Sequence, residues 1–526
     1  MPETPSLKNR SATLVSLTAL LALALCAAWQ ESTLDLLIML VVLAAAREGG
    51  TTAERWVSVA LGGLCLTLLL RAGANTALDY FYARPLELKY DVYLAPAMWD
   101  LVEDTAGTAV AIAVTAGAAL LAIGVARLFA VLLRSALNAF PKPSALPLTA
   151  LLLVTHLSLV PHETATMAVL REVEAAYRVA QGDDEFEAQL ALGRSELLTL
   201  PSDLGALKRQ DVLLLFVESY GRLLWDDPAM RPAFEETLER IAQDAQASGY
   251  QVSSRFVRST TVGGMSWLAH MSAMSGVACW NTPQWERLLA SRVRPLADYF
   301  RAEGYETVSV MPAMDIDAWP EGRYFGFTRN FWARDLNYHG EKYAWSPMPD
   351  QFVLLRLQQE VLAKADGPVF ADVSMTSSHA PFSFIPPYHD GPWTTEALYQ
   401  TLAEEPAARA PFLWTNYDPD FYLKAVTYSL RSAAEFATRH YRREGVVIIM
   451  GDHQATRAVH RVDSKAMGHI RHVPMHVLTR DPELHRRLLG DGFVSGMTPS
   501  ETAAVLPMER LKATMLRAFS AEGGQS

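Results

Sequence analysis

Two short apolar runs, far apart in the chain, each end in side chains that can bind a metal. Residues 211–218 read Asp-Val-Leu-Leu-Leu-Phe-Val-Glu, and residues 446–453 read Val-Val-Ile-Ile-Met-Gly-Asp-His. A continuous apolar run of this length is typical of a strand buried on both faces of a parallel sheet. Because ligands of α/β sheets bind beyond the carboxyl ends of the strands, we predict that Glu218, Asp452 and His453 share one site.

The region around these two runs alternates between strand-like and helix-like patterns. Strands are predicted at residues 211–217, 306–311, 369–375, 446–450 and 473–479. Helices are predicted at about 231–248, after 265, and at 294–303, 350–364 and 420–443. Strands separated by helices of this length indicate right-handed crossovers and a mostly parallel central sheet, so the predicted fold class is α/β.

The first third of the chain has a different pattern, with five nearly uncharged segments rich in Leu, Ala and Val. They span residues 13–29, 33–46, 56–75, 107–126 and 147–161. We interpret them as five transmembrane helices, although two are short for a bilayer. A cleaved signal peptide is the alternative for the first segment, but the closely following apolar segments favour a multi-span anchor.

The basic residues of the short loops predict the orientation of this anchor. With the N-terminus cytoplasmic, the cytoplasmic side receives Lys8, Arg10, Arg47, Arg55, Arg127, Arg134 and Lys142. The loop at 72–106 has few basic residues and several acidic ones, which fits the opposite side. The expectation is a multi-pass protein of a bacterial inner (cell) membrane, with an anchor at 1–162, a linker helix region at 163–205 and a periplasmic or extracellular catalytic domain at 206–526.

Charge and cysteine content argue against a nucleic-acid-binding protein and against an exported domain stabilised by disulfides. The net charge is −11 and no strongly basic stretch occurs, which argues against nucleic acid as a partner. Cys26 and Cys65 lie in predicted spans, so Cys279 is alone in the exported part and can form no disulfide within it. A domain of that length can be stable without one.

The two turns after the apolar runs differ in how strongly they indicate a metal. Glu218 alone is more readily explained as a solvated carboxylate or a helix cap. Gly451-Asp452-His453 is compatible with an ordinary turn. A neutral imidazole beside a carboxylate nevertheless suits Zn²⁺ or Mn²⁺, so metal ligation is the favoured interpretation.

A hydroxyl group that can act as a nucleophile lies between the two runs. Residues 263–266 read Gly-Gly-Met-Ser and look like a loop entering a helix, with Ser266 in the first turn. A helix N-terminus favours both an activated hydroxyl and a bound phosphate. The alternative is an ordinary serine N-cap, and Thr260 and Thr261 remain alternative nucleophiles.

Histidines follow or precede other predicted strands. His379 lies in the polar loop after strand 369–375, where a lone histidine is usually a surface residue, but the loop belongs to the same sheet edge. His469 and His472 precede the last strand and are weaker candidates.

These four segments, in this order, resemble the lipoteichoic acid synthase branch of the alkaline phosphatase/sulfatase superfamily. The resemblance covers about residues 205–485 and rests on Glu218-Ser219, the Gly-Gly-Met-Ser266 helix start, the Ser378-His379-Ala-Pro-Phe loop and Gly451-Asp452-His453. A five-helix anchor before an exported domain fits the same family.

The resemblance implies roles for individual residues. Glu218, Asp452 and His453 would bind one divalent ion, Mn²⁺ in the first place, with Mg²⁺ and Zn²⁺ as alternatives. Ser266 stands where the family usually has Thr, and would be the nucleophile and a further metal ligand. His379 would contact the substrate phosphate or assist the leaving group, and His472 is a further substrate-binding candidate.

A tryptophan and an arginine that contact glycerophosphate in the family have two local matches in this chain. Trp319 and Arg323 are preferred because a Phe-Gly-aromatic stretch follows them. Trp332 and Arg334 copy the spacing more closely.

The implied function is transfer of glycerophosphate from phosphatidylglycerol to an envelope glycan or polymer through a covalent Ser/Thr intermediate. Alternatives on the same fold are a phosphoethanolamine transferase and a sulfatase or phosphodiesterase-type hydrolase. A sulfatase is disfavoured because Trp-Leu-Ala-His follows Ser266 in place of the x-Pro-x-Arg pattern. A phosphoethanolamine transferase is disfavoured because its known relatives are rich in disulfides. A membrane-anchored binding or sensory protein is the non-enzyme alternative.

Overall fold

The computed structural model describes two compact units of the chain. It describes residues 33–92, 107–138, 164–181, 184–195, 200–201, 203–314, 322–340, 346–383, 385–403 and 417–521, with the single positions 99, 103, 147, 149 and 153. The first unit comprises Met1–Asp79 and Arg84–Asp183, and the second comprises Tyr80–Ala83 and Asp184–Ser526. The boundary between them falls inside the predicted linker region.

The described part of the first unit is helical. Its helices are α1 (Thr33–Glu48), α2 (Thr51–Tyr82), α3 (Leu88–Asp91), α4 (Thr108–Leu137) and α5 (Ala165–Gln181). Helices α2 and α4 contain the predicted spans 56–75 and 107–126 and are long and apolar enough to cross a membrane, by length and composition.

None of the other three predicted spans is found as a membrane-spanning helix in the described part of the chain. Helix α1 contains the predicted span 33–46 but has 16 residues, which corresponds to roughly 24 Å and is short for a bilayer. The predicted spans 13–29 and 147–161 lie outside the described residues, apart from the single positions 147, 149 and 153. The five-helix anchor therefore stays a prediction.

The second unit is an α/β domain. Its strands are β1 (Asp211–Val217), β2 (Gln251–Arg258), β3 (Glu306–Met311), β4 (Arg329–Trp332), β5 (Val369–Met375), β6 (Gly445–Gly451), β7 (His472–Thr479), β8 (Val494–Ser495) and β9 (Leu506–Pro507). Its helices are α6 (Asp184–Ser195), α7 (Leu223–Asp226), α8 (Arg231–Ala247), α9 (Ser266–Ser275), α10 (Thr282–Leu289), α11 (Leu296–Ala302), α12 (Gly322–Phe325), α13 (Asp350–Leu357), α14 (Thr395–Ala403), α15 (Pro419–Glu435), α16 (Pro482–Gly490) and α17 (Leu511–Phe519).

All the strands belong to one mixed sheet with the order β4-β3-β5-β1-β6-β7-β2-β8, and β9 pairs with β2. The five neighbouring strands β4, β3, β5, β1 and β6 are parallel to one another. Strand β7 runs antiparallel to both β6 and β2. The predicted parallel arrangement is therefore correct for the centre of the sheet and wrong for its last predicted strand, β7.

The antiparallel direction of β7 affects the geometry of the site edge. Its first residue, His472, lies at the same edge as the carboxyl ends of the parallel strands. It pairs with Arg258, the last residue of β2. The end of β2 and the start of β7 therefore lie at the edge where the site residues of the parallel strands are expected.

Strand β2 was not predicted because half of its buried residues are polar. Six consecutive residues are buried, and among them are Ser253, Ser254 and Arg255. Ser253 Oγ lies 2.7 Å from Nδ1 of His485, and Ser254 Oγ lies 2.7 Å from Nδ1 of His476. These partners are distant in sequence, so no local pattern reveals the strand.

Two apolar layers cover the two faces of the sheet. On β1, Leu213, Leu215 and Val217 pack into one layer, and the alternating residues Val212, Leu214 and Phe216 pack into the other. Helices α8, α13 and α15 contribute to the first layer through Phe234, Phe352 and Val426, whereas α9, α11 and α17 contribute to the second through Leu268, Phe300 and Leu516. Burial on both faces explains why β1 is apolar at every position from 212 to 217.

Candidate functional site

The structure brings Glu218, Asp452 and His453 together at the carboxyl ends of β1 and β6. The two strands are parallel neighbours, and Val217 pairs with Gly451, so the residues that follow each strand face one another. One ligand atom from each of the three side chains lies within 4.8 Å of the others. All three side chains are buried. This is the arrangement that the two apolar runs predicted.

Hydrogen bonds leave one ligand atom of Asp452 and one of His453 available. Oδ1 of Asp452 accepts hydrogen bonds from the backbone N–H groups of Ser219, at 2.9 Å, and His453, at 2.7 Å. Nδ1 of His453 lies 3.0 Å from the carbonyl oxygen of Gln454 and must carry the proton, because a carbonyl only accepts. Oδ2 of Asp452 and Nε2 of His453 have no such backbone contact and face the cluster, where they lie 3.7 Å apart and Nε2 lies 3.0 Å from Oε1 of Glu218.

The three groups are electrostatically dependent on one another. Burial raises the pKa of Asp452 to about 7, and the negative charge of Glu218 acts in the same direction. Burial opposes protonation of His453, but the charges of Asp452 and Glu218 raise its pKa to about 9. Burial likewise favours a neutral Glu218, but the charge and hydrogen bond of His453 lower the pKa of Glu218 well below its usual range.

The donor set fits a divalent cation. Two buried carboxylates need a nearby positive charge, which the imidazolium of His453 supplies in the metal-free protein. A divalent ion bound by one oxygen of each carboxylate and by Nε2 of His453 would supply that charge and release the proton. Carboxylate oxygens suit Mg²⁺ and Mn²⁺ and imidazole suits Zn²⁺, so this mixed set fits several divalent metals.

Ser266 is the first residue of α9 and contacts two of the three candidate ligands. Its hydroxyl donates a hydrogen bond to Oε2 of Glu218 at 3.1 Å, and Oγ lies 3.2 Å from Nε2 of His453. Oγ1 of Thr260 instead pairs with the hydroxyl of Ser272 at 3.2 Å. Oγ1 of Thr261 is buried without a hydrogen-bond partner in the described part of the chain. Of these three candidate nucleophiles, Ser266 is the one adjacent to the cluster.

The Gly-Gly-Met segment directs Ser266 into this position. Gly263, Gly264 and Met265 have consecutive positive φ angles of 71°, 150° and 60°, a path that two glycines make accessible. The N–H of Gly263 donates to the carbonyl oxygen of Gln454 at 2.9 Å, next to His453. The loop is therefore held against the same turn that carries two of the candidate ligands.

Gly451 is required by close packing. A Cβ atom at this position would lie 1.9 Å from the carbonyl oxygen of Tyr220. The sequence indicated a turn glycine, whereas the structure shows that the loops after β1 and β6 approach each other too closely for any side chain.

The loop after β5 supports the Glu218 turn. The hydroxyl of Ser378 donates to the carbonyl oxygen of Glu218 at 2.6 Å. The next residue, His379, is half-buried, and its Nδ1 lies 2.7 Å from the carbonyl oxygen of Ala380, so Nδ1 carries the proton. The charge of His379 also helps to lower the pKa of Glu218, which places its ring beside the cluster.

The remaining predicted substrate contacts lie elsewhere or outside the described residues. Trp319 is outside the described residues. Arg323 is exposed and lines a shallow cavity of about 430 Å³ together with Arg292, Arg294 and Tyr324. None of the candidate metal ligands is among the described residues that line this cavity. The role of Arg323 in substrate binding stays a prediction.

The alternative pair and His472 have surroundings of their own. Trp332 is mostly buried on β4, and Arg334 follows it on an exposed turn. His472 stacks on Phe256, with ring centroids 6.5 Å apart, and its carbonyl oxygen accepts a hydrogen bond from the N–H of Arg222.

The sequence pattern did not indicate that Tyr422 supports the site. The hydroxyl of Tyr422 donates to the carbonyl oxygen of Ser219 at 3.0 Å and accepts from the N–H of Gly221 at 3.3 Å. Ser219 has a φ of 58°, so this contact stabilises an unfavourable backbone conformation next to Glu218. Tyr422 lies in the first turn of the amphipathic helix α15, where its pattern is typical of a core residue.

Comparison with known proteins gave matches among solved structures only. No protein-family model and no curated protein matched the chain. The chain is similar to the lipoteichoic acid synthase of Listeria monocytogenes, with 15% identity and a TM-score of 0.37 over 59% of this chain and 77% of that one. It is also similar to the soluble domain of lipooligosaccharide phosphoethanolamine transferase A of Neisseria meningitidis, with 16% identity and a TM-score of 0.39 over 58% and 87%. A third similarity is to a Streptococcus pyogenes phosphoglycerol transferase in complex with sn-glycerol-1-phosphate, with 12% identity and a TM-score of 0.35 over 63% and 91%.

Proposed function

We propose that the protein is a membrane-anchored, metal-dependent transferase that moves glycerophosphate from phosphatidylglycerol to an envelope glycan or polymer. The observation that carries the proposal is the contact of the Ser266 hydroxyl with Glu218 and His453, at the start of α9. A hydroxyl beside a cluster of metal-grade ligands, at a helix N-terminus, has the surroundings that nucleophilic attack on phosphorus requires. The motif resemblance points to the same chemistry.

The proposed reaction has two steps, each of which exchanges one P–O bond. Ser266 Oγ bonds to phosphorus while the bond from phosphorus to the diacylglycerol oxygen breaks, and the hydroxyl proton is transferred to the departing alkoxide. An acceptor hydroxyl then bonds to phosphorus, the bond to Ser266 breaks, and the serine regains a proton. Diacylglycerol and a glycerophosphorylated acceptor are the products.

The residues of the chain divide this work. Glu218, Asp452 and His453 would hold a divalent ion, with Mn²⁺ proposed, and Ser266 would be its further ligand. Bound there, the ion would supply Lewis-acid stabilisation of phosphoryl charge and favour the serine alkoxide. His379, whose charge acts on Glu218, is proposed to contact the substrate phosphate or the leaving oxygen.

The apolar helices α2 and α4 support a location at a membrane. By length and composition they can cross a bilayer, which would keep the enzyme next to a lipid donor. A tethered enzyme meets its lipid at a high effective concentration. We propose a multi-pass inner-membrane protein with the catalytic domain on the outer side.

The decisive experiment uses the full-length protein in detergent with radiolabelled phosphatidylglycerol and Mn²⁺. We expect release of diacylglycerol and, by mass spectrometry, a glycerophosphoryl group on the peptide that contains Ser266. Ser266→Ala should abolish both signals, whereas Ser266→Thr keeps a hydroxyl and should retain part of the activity. Absence of diacylglycerol release with Mn²⁺, Mg²⁺ and Zn²⁺ would refute the proposal.

The same experiment separates the alternatives. Adduct formation from phosphatidylethanolamine, but not from phosphatidylglycerol, would identify a phosphoethanolamine transferase. Hydrolysis of an aryl sulfate or a phosphodiester without transfer of a group to an acceptor would identify a hydrolase. Metal binding without any covalent intermediate would support a binding or sensory protein.

A further inference from the structure

His270 lies in α9 one helical turn after Ser266. Residues four positions apart share one face of a helix, with Cβ atoms roughly 5–6 Å apart. Helical side chains also lean toward the N-terminus of their helix. The ring of His270 therefore leans toward the turn that carries Ser266.

A stacking contact fixes the plane of the ring. The centroids of the His270 and Phe216 rings are 3.9 Å apart, with an angle of 21° between their planes. Phe216 lies on β1, two residues before Glu218, so the stack holds the imidazole over the end of the strand that leads into the cluster. The side chain is 9% exposed, which leaves only its rim accessible.

His270 is next to the cluster without belonging to it. The charges of Glu218 and His453 both influence the pKa of His270, which shows that the ring is close to them. The group of side chains whose ligand atoms lie within 4.8 Å of one another contains Glu218, Asp452 and His453, but not His270. Within the described part of the chain, no hydrogen bond engages its ring nitrogens.

Burial lowers the pKa of His270 to about 4; the charge of Glu218 opposes this shift and that of His453 adds to it. The neutral ring is therefore favoured, and a neutral imidazole carries one N–H donor and one acceptor nitrogen. Neutral histidines serve as hydrogen-bond donors to substrate oxygens in other active sites.

We propose that His270 is a catalytic residue of the transfer reaction, donating a hydrogen bond from its ring N–H to a non-bridging oxygen of the phosphoryl group on Ser266. The inference rests on the proposed function. Negative charge on these oxygens must be stabilised while phosphorus is attacked, and a preorganised donor is effective in a site from which water is largely excluded. The contact transfers no proton, so the two bond exchanges at phosphorus keep the balance given above.

The test compares His270→Ala with His270→Gln in the full-length protein. Single-turnover formation of the glycerophosphoryl enzyme should slow by about 100-fold in the alanine variant, as for the loss of one such donor elsewhere. The glutamine side chain has an N–H donor and should restore at least part of the rate. Mn²⁺ affinity, measured by calorimetry, should remain within about 2-fold of wild type in both variants, because His270 is not a ligand in this assignment.

His339→Ala is the matched control, because His339 is exposed in a loop of the same domain and its loss should leave the rate unchanged. Wild-type rates in both His270 variants would overturn the assignment. So would an alanine variant that loses Mn²⁺ affinity, because His270 would then act through the ligands. A glutamine variant as slow as alanine with normal Mn²⁺ affinity would also overturn it, because the donor role predicts rescue.

A failure of the proposed function would give a different experimental result from a failure of the His270 assignment. If the wild-type protein releases no diacylglycerol from phosphatidylglycerol, the donor assignment fails and the variants are compared on bis(4-nitrophenyl) phosphate with Mn²⁺. A 10-fold or larger loss in His270→Ala, with rescue by glutamine, would still support the contact with a phosphoryl oxygen. Equal rates on that substrate would overturn it.

Discussion

The buried hydroxyl of Tyr220 donates a hydrogen bond to Nε2 of His476 over 2.8 Å. The direction of this hydrogen bond follows from the other hydrogen bonds of His476 and Ser254. The single proton of the Ser254 hydroxyl goes to the carbonyl oxygen of Gly496 at 2.5 Å, so Nδ1 of His476 must donate to Ser254 and Nε2 must accept. Burial lowers the pKa of His476 to about 3, so the ring remains neutral. The relay connects β2 and β7 to the turn that carries Glu218.

Tyr220→Phe should weaken both folding and metal binding. The change leaves Nε2 of His476 buried without a donor, which costs about 1–3 kcal/mol of unfolding free energy. It also loosens the turn two residues after Glu218, so Mn²⁺ affinity should fall several-fold. Urea denaturation and calorimetry measure the two effects.

Tyr441→Phe is the matched control for this change. The Tyr441 hydroxyl donates to Asp211 at 3.0 Å, at the opposite end of β1 from Glu218. The Tyr441→Phe substitution should lower the unfolding free energy by a similar amount and leave Mn²⁺ affinity unchanged. Equal losses of affinity in the two variants would contradict a specific role for Tyr220.

Mn²⁺ should stabilise the protein, and loss of a ligand should abolish the effect. An ion that binds only the folded state, at 100 times its Kd, adds about 2.7 kcal/mol to the unfolding free energy. We expect a rise in Tm on adding Mn²⁺, its reversal by EDTA, and no rise in Asp452→Asn or His453→Ala. Asp244→Asn, an exposed carboxylate on α8, serves as the control. An unchanged Mn²⁺ response in the two ligand variants would place the metal elsewhere.

Gly451→Ala should be strongly destabilising. The new methyl group would meet the carbonyl oxygen of Tyr220 at 1.9 Å, and moving that backbone disturbs both turns of the candidate site. Overpacking of this kind costs about 1–3 kcal/mol or more. Gly490→Ala is the comparison, because no heavy atom lies within 4 Å of the added carbon at that position. The prediction fails if thermal unfolding shows the same small change in both variants.

Asp372 on β5 should make stability fall as the pH rises. Burial raises the pKa of Asp372 from 3.8 to about 7. Between these values the folded state binds more protons than the unfolded state, so the unfolding free energy decreases with pH by at most roughly 1.4 kcal/mol per pH unit from this group. The contribution is fully present below about pH 4 and is lost by about pH 7.

Asp372→Asn should remove this dependence. Relative to wild type, the variant should gain stability steadily from pH 4 to pH 7 in urea denaturation series. Ser309→Ala changes a buried neighbour on β3 that pairs with Asp372 in the sheet register, and it should shift stability equally at both pH values. A constant difference between Asp372→Asn and wild type across the range would show that the carboxyl does not titrate in this window.

Much of the α/β domain follows from local pattern alone. A run of apolar residues can be buried only if both faces of the strand are covered, and β1 has this pattern. The strands β1, β3 and β5 were predicted with their observed bounds, although β3 and β5 also contain polar residues such as Ser309 and Asp372. Polar residues at the ends of such runs are then confined to one sheet edge, and this places Glu218, Asp452 and His453 together. The motif order added the chemistry proposed for them.

The tertiary structure decided what depends on contacts between distant segments. Three hydroxyls were candidate nucleophiles, and only packing of the Gly263 loop against Gln454 places Ser266 at the cluster. Strand β2, the direction of β7, the steric need for Gly451, and the placement of His270 over Phe216 all arise from partners far away in the chain. The hydrophobic pattern of the sequence indicates which residues are buried, but it does not indicate which distant residue each of them contacts.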